Sequence, residues 1–321
     1  MGMKIKAAGT SFPTSRPIIK KYDPLETAGS LVLFDVANPA QDFTLAAENS
    51  GETEVVNLMA ERASVVTGSA SSLCNITQDR KSEQTAGSDI ASSLDIEITP
   101  KGGIHVMYPQ SLSLTSLEDY FTILSTPSSA IQNYIDSNSG TSGILPGDRH
   151  NFYVSTWQRC TRGAVNSGTY TRPWITYGDP NDYLFQWQGN LGYPRPTSIT
   201  DYYRSPLWDF KANPNVNTPL YADFAVDGPW TVGDGDGENQ PVYWAITGHG
   251  PFANSEGGWI TGSRNVAESR IIYRIYIEDL TVSGRTYAEV SALDRALFTE
   301  AFSVGGVFYG DTWSDPVTTN P

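Results

Sequence analysis

The sequence predicts an all-β protein: an antiparallel β-sandwich with an extended N-terminal arm and a C-terminal tail. Three observations point there. About a dozen short segments either alternate apolar with polar residues or form brief apolar runs, and Gly, Pro, Asn or Asp closes most of them. A single segment has a clear helical apolar period. Charged residues make up 17% of the chain, below the usual quarter. Ser, Thr, Asn and Gly take their place, as in β-rich extracellular or particle proteins. No internal repeat of roughly 20–50 residues is found, which argues against a propeller or solenoid.

Taken in order, residues 1–28 read as an extended arm. Pro13, Pro17 and Pro24 interrupt it, and such arms become ordered by docking on a neighbour. Residues 29–302 form the sandwich, a length that one β domain can hold. Its first strand is Ser30–Val36 (SLVLFDV), a buried-type apolar run closed by Asn38-Pro39. Val55–Ala63 fits either a short helix or a strand. Residues 64–90, rich in Ser, Thr, Gln and Gly, read as a long loop or an edge hairpin. Leu94–Ile98 alternates strictly, and Ile104–Tyr108 follows it across Pro100 and Gly102-Gly103. That pair is a hairpin with one wet face. Tyr120–Leu124 is a strand, and Ser128–Ile135 a turn of helix.

The second half holds the stronger strands: Asn151–Arg159, Asp182–Gln188, Tyr221–Val226, Pro241–Thr247 and Arg270–Glu278. The last (RIIYRIYIE) is the strongest. Strict alternation puts Ile271, Tyr273, Ile275 and Ile277 on one face and Ile272, Arg274, Tyr276 and Glu278 on the other. Thr286–Leu297 is the one clear helix, with Tyr287, Val290, Leu293 and Leu297 at helical spacing and Ser283 or Thr286 as its cap. Residues 189–220 form a Pro-, Tyr- and Arg-rich loop too long to lack a role. Residues 303–321 read as a tail with exposed aromatics.

Charge and composition exclude several function classes. The chain carries 21 basic against 35 acidic residues, a net charge of −14. Nucleic-acid affinity comes from neutralising phosphates with Lys and Arg, so nucleic acid is not an expected partner. Anionic membranes are disfavoured in the same way. No apolar run is long enough to span a bilayer, so membrane insertion is not expected. Cys74 and Cys160 lack metal-ligand spacing, and either a disulfide or two thiols fits them. His105, His150 and His249 do not share a metal-binding spacing.

Candidate contact residues follow from the aromatics. All eight tryptophans lie at or beyond Trp157, and Trp and Tyr suit both cores and recognition surfaces. Most of them fall in or beside strands and read as core. Trp187, Tyr202, Tyr203, Trp208, Trp230 and Trp244, with Arg204, Asp209 and Asp227 to supply hydrogen bonds, form an aromatic–polar set able to stack on sugar rings or on a protein partner. Trp208 and Trp313 have no expected sheet to fill, so both are expected to touch something else. Asp234, Asp236 and Glu238 alternate with glycine, and oxygen ligands on a turn suit Ca2+. The EF-hand pattern fails, because Asn239 and Ala245 stand where it needs Gly and Glu. A solvated turn is the competing reading. Asp95 and Glu97 share a strand face, as acid and nucleophile do in sandwich glycosidases. Ser93 occupies the first carboxylate position of the laminarinase-type pattern, so no catalytic pair is complete.

Two segments carry a family resemblance. Ser30–Asn38 (SLVLFDVAN, then Pro39) resembles the opening strand of laminin-G/concanavalin A-like modules in bacteriophage virion proteins. Where that opening commonly carries Leu-Asp-Ala, this chain has Phe34-Asp35-Val36. Gly258–Asp279, followed by Leu280–Tyr287 (LTVSGRTY), is similar to their closing half, an aromatic strand ending in a short loop with Ser-Gly-Arg. The resemblance implies a jelly-roll or concanavalin A-like sandwich in a tail, fibre or decoration protein, folded in the host cytoplasm and carried on the virion. It transfers no catalytic residue. The expected partners are copies of the chain itself, other virion proteins and, for attachment, a cell-surface glycan. The competing expectations are a carbohydrate-binding module and, less well supported, a glycoside hydrolase.

Overall fold

The most strongly alternating segment of the chain becomes the middle of its largest sheet. The computed structural model describes residues 23–47, 50–51, 53–81, 95–107, 120–124, 130–139, 150–162, 172–179, 182–190, 211–212, 217–226, 243–245 and 269–319. The first half holds β1 (Ser30–Asp35), β2 (Thr53–Val55), α1 (Ala60–Thr67), β3 (Ile76–Lys81), β4 (Asp95–Ile98), β5 (Ile104–Met107), β6 (Tyr120–Leu124) and α2 (Ala130–Ser139). The second half continues with β7 (Phe152–Arg162), β8 (Arg172–Asp179), β9 (Asp182–Asn190), β10 (Lys211–Ala212), β11 (Pro219–Val226), β12 (Tyr243–Ala245) and β13 (Ser269–Asp279). Three helices close the chain: α3 (Leu280–Ser283), α4 (Tyr287–Phe302) and α5 (Pro316–Thr319).

The fold is all-β. Every strand pairing among the described residues is antiparallel except β10 on β9. In the six-stranded sheet, β7 lies along one side of β13 and β11 lies outside β7. On the other side of β13, β5 pairs with Arg270–Ile272 and β1 with Arg274–Glu278. The hairpin partner β4 lies outside β5. A three-stranded sheet, β2-β3-β6, faces the six-stranded one, and a four-stranded sheet, β10-β9-β8-β12, pairs separately. β12 lies beside β6.

The sandwich core lies between the six-stranded sheet and the three-stranded one. Val32, Phe34, Ile104, Val106, Phe152, Val154, Ile272, Ile275 and Ile277 supply one side of it. Val55, Ile76 and Ile123 supply the other, and Ala63 of α1 and Ile131 and Ile135 of α2 join it. α4 covers the opposite face of the large sheet, where it packs on Tyr153, Trp157, Ile271, Tyr273 and Tyr276. β13 is therefore covered on both faces, and every one of its residues is buried.

The expected alternation of β13 needs one correction. A bulge lies between Ile272 and Arg274, because β7 steps from Gln158 to Trp157 where β13 passes three residues. One extra residue flips all that follow to the other face. Ile275 and Ile277 therefore join Ile272 in the sandwich core. Ile271 and Tyr273 stay with Tyr276 on the α4 face. Without the bulge, Arg274 and Glu278 would point into the apolar core.

Other elements match their sequence signals. The 94–108 hairpin forms as β4 and β5. The ambiguous 55–63 segment contributes both the end of β2 and the start of α1. Thr286 caps α4 in a reciprocal box with Glu289, while Asp279 caps α3. β3 forms inside the expected 64–90 loop. Its residues (ITQDRK) are too polar to signal a strand, and pairing on both edges supplies what propensity does not. β8 also carries no clear alternation and is held by its neighbours. No disulfide joins Cys74 and Cys160, both of which are buried.

Both expected ends need correction. Residues 1–22 of the arm lie outside the described residues, but residues 23–28 dock on the chain's own β13, and Leu25 is fully buried. The tail is docked as well. The chain reverses after α4 and places Phe308, 0% exposed, against Trp157, Tyr273 and Phe302. Gly306 permits the reversal, because a Cβ there would lie 2.1 Å from the Glu300 carbonyl oxygen. The turn residues read correctly as a turn, but the aromatics beyond it fill the open face of the large sheet. Phe308→Ala should lower stability by about 3–5 kcal/mol in urea unfolding. The same variant should become sensitive to limited proteolysis between residues 303 and 319.

Candidate functional site

The α4 face of the large sheet carries charged and hydroxyl side chains into the interior. Arg274, Tyr276 and Glu278 of β13 and Tyr153 of β7 are buried there. A buried polar group left unpaired costs about 1–3 kcal/mol, and a charged one more. The partners of these groups therefore decide what the face can do.

Arg274 is met by the root of the arm. Its guanidinium forks onto Asp23 at 2.7 and 2.8 Å and reaches Asp35 at 3.3 Å. It also lies 4.7 Å above the Trp157 ring. Burial alone would lower the Arg274 pKa, but Asp23 and Asp35 outweigh it and raise the value. Glu278 pairs with Arg285 of the Ser-Gly-Arg loop and accepts from the Thr27 hydroxyl at 2.9 Å. The Leu25 carbonyl accepts from the Tyr276 hydroxyl at 2.9 Å and from Arg285 at 3.0 Å. Residues 23–27 are thus bound through both side chains and backbone.

Asp294 projects from α4 into the same face. It accepts from the Tyr153 hydroxyl at 2.9 Å and from Trp157 Nε1 at 3.0 Å. The Tyr221 hydroxyl lies 2.8 Å from that of Tyr153 and donates to Asp223 at 3.1 Å. Burial drives the Asp294 pKa up, against the pull of Arg274 and of these hydrogen bonds.

A third chain crosses from β4 to β7. Glu97 lies 2.8 Å from His105 Nδ1, and His105 Nε2 lies 2.8 Å from the Thr161 hydroxyl. Partial burial would raise the Glu97 pKa, but hydrogen bonds from His105 and Ser314 outweigh it and hold the carboxyl below its ordinary value. Burial pushes His105 down, against the attraction of Glu97. The imidazole is therefore neutral near pH 7, with Nδ1–H donating to Glu97 and Nε2 accepting from Thr161. The connectivity is that of an acid–base–hydroxyl triad. Its placement is not, since His105 is 0% and Thr161 7% exposed. Ser314 closes the other end by donating its N–H and hydroxyl to Glu97 at 2.7 and 2.8 Å. The chain staples β4, β5, β7 and the C-terminal segment together.

The expected contact residues are brought together only in part. Trp187 lies on β9, paired with Ile175 of β8. Tyr202, Tyr203, Arg204, Trp208 and Trp230 lie outside the described residues, as do Asp234, Asp236 and Glu238 of the suggested Ca2+ turn. Among the described residues, no cluster of acids, histidines and cysteines could hold a metal ion. Trp313, expected to reach outward, is half-buried on its own sheet, with the Arg159 guanidinium 5.0 Å from its ring. Asp95 and Glu97 sit on the edge strand β4, where Glu97 is already engaged. The network residues Asp23, Arg274, Glu278, Arg285 and Asp294 were not candidates from sequence. The available signal was three charges, Arg270, Arg274 and Glu278, in the most apolar strand, a pattern that requires buried partners.

The pH response of the staple has a defined sign. The folded pKa of His105 lies below its unfolded value of about 6.5, so the unfolded chain binds the proton more readily. Its contribution is present at neutral pH and is lost as pH falls below about 6.5. Glu97, with a lowered pKa, loses its contribution at lower pH, below about 4.5. Denaturant-measured stability should therefore fall between about pH 7 and about pH 5. His105→Gln should flatten that part of the curve. Tyr153→Phe, which leaves buried acceptors unmet, should cost about 1–3 kcal/mol by the same assay.

No family model matches the chain, and no curated protein matches it. Among solved structures it is similar to the CBM22-1 xylan-binding domain from Paenibacillus barcinonensis Xyn10C. The match has 7% identity, covers 79% of this chain and 97% of that one, and reaches a TM-score of 0.23. A superposition this loose carries no inference about ligand or activity.

Proposed function

We propose that the protein is a structural component of a bacteriophage virion that works by repeated contact between subunits. The observation that carries this reading is the anchoring of Asp23 and Leu25 on the central strand. The described chain begins at this fixed point, and the sequence before it, residues 1–22, is interrupted by Pro13 and Pro17. A strap between subunits needs such an anchor, because tension on a loose root would be lost as local motion. The network also supports a structural role, since the buried acids Asp294 and Glu278 hold helices and termini in place. The low charged fraction and the opening and closing segments quoted above support placement on a particle.

A second reading, carbohydrate binding, is supported by the register of the four-stranded sheet. Trp244, Tyr177 and Phe185 occupy partnered positions across β12, β8 and β9, and Trp187 follows two residues after Phe185. Aromatic residues suit the apolar faces of sugars.

Sedimentation of the purified chain over a concentration series tests the first reading. It should self-associate, and removal of residues 1–22 should shift it to monomer while leaving its thermal midpoint unchanged. Truncation must stop before Asp23, since losing the Arg274 pair should cost about 3–5 kcal/mol. A chain that is monomeric throughout would refute the reading. For the second, a glycan array should show retention that Trp187→Ala or Trp244→Ala abolishes.

A further inference from the structure

We infer that the turn after α4, Ser303–Gly310, is the surface on which residues 1–22 of a second copy of this chain dock. The inference rests on the assembly reading and names the surface that reading leaves open.

The turn exposes Val304 at 83%, Val307 at 50% and Tyr309 at 50%. Isolated exposed apolar residues are ordinary, but a run of them on one turn marks an interaction surface. The backbone beneath them is held in one shape. Gly306 N–H donates to Ser303 at 2.8 Å, Phe308 N–H to Ala301 at 2.9 Å and Tyr309 N–H to Gly306 at 3.1 Å. Phe308 is fully buried between the exposed neighbours. The apolar side chains are thus presented by a fixed frame, so a partner would not have to order the turn on binding.

Charge and reach select the occupant. The turn follows the C-terminus of a 16-residue helix whose last turn carries no basic residue. That end of a helix is electronegative, and exposed Glu300 adds to it. Residues 1–22 carry Lys4, Lys6, Arg16, Lys20 and Lys21 and no acid, although the whole chain has a net charge of −14. Near the far end of the segment, Lys4 and Lys6 flank Ile5, an apolar–basic pairing that complements an apolar turn with an acidic flank. Fully extended, the segment reaches about 70–80 Å, well beyond the radius of gyration of about 19 Å for a body of this size. Its own turn is close to its root, because Trp157 lies under Arg274 and also meets Phe308 at 6.4 Å. A segment this long would leave most of its length unused on that turn, whereas it can span to a neighbour's.

Sedimentation of the full-length protein at several salt concentrations provides the test. Val304→Glu with Val307→Glu, and separately Lys4→Glu with Lys6→Glu, should each weaken self-association by about tenfold or more. Neither pair should move the thermal midpoint, since these turn side chains are exposed. Adding Glu300→Lys to the Lys4→Glu, Lys6→Glu protein should restore much of the lost association. If the arm variant dissociates while the turn variant assembles normally, the arm docks elsewhere; the assembly reading then stands and this inference falls. If the turn of a monomeric chain is protected from hydrogen exchange and loses that protection in the arm variant, docking is within one copy, which also overturns it. A wild-type chain that never associates overturns both.

Discussion

β13 runs through the middle of the largest sheet and is covered on both sides, yet it carries Arg274, Tyr276 and Glu278. Burying such groups is tolerable only if each finds a partner with good geometry. The partners come from the two ends of the body. Asp23, Leu25 and Thr27 arrive from the N-terminal side, and Arg285 arrives from the loop that leads into α4. The need to satisfy one strand therefore sets where the chain enters its fold and how it turns into its long helix.

The bulge at Tyr273–Arg274 makes this arrangement compatible with an apolar core. It separates the strand into a start whose odd-numbered residues face α4 and an end whose even-numbered residues do. The isoleucines are collected into the sandwich interior, and the polar groups are gathered under α4, where partners are available. α4 then adds Asp294, and the C-terminal segment adds Phe308, Trp313 and Ser314 over the same face. Breaking one partner of a buried ion pair is far more costly than never having buried it. Every partner must therefore stay in place for this face to remain buried.

Strand positions were largely legible in the sequence because the side-chain period of a strand is written directly in its residues. Arg270–Glu278, Tyr120–Leu124 and the 94–108 hairpin show this, as does α4, whose period and Thr286 cap both announce it. β3 and β8 were not legible, since their residues satisfy no period and their pairing is supplied by neighbours distant in sequence. The candidate site was legible only in part. Trp187 was placed on a strand as expected. Trp313 has an apolar ring and no local sheet signal, so nothing in its neighbourhood shows that Arg159 and the open sheet face are waiting for it.

Composition and local pattern thus determined the class of the fold, the identity of its central strand, its long helix and its anionic character. Those properties depend on residues close in sequence or on sums over all of them. Tertiary structure decided which face each half of β13 presents, since a bulge is a mismatch between two strands and neither shows it alone. It also decided that the chain's ends are docked. The bonds from Asp23 to Arg274 and from Ser314 to Glu97 join residues more than 200 positions apart, and no local signal encodes a partner at that distance.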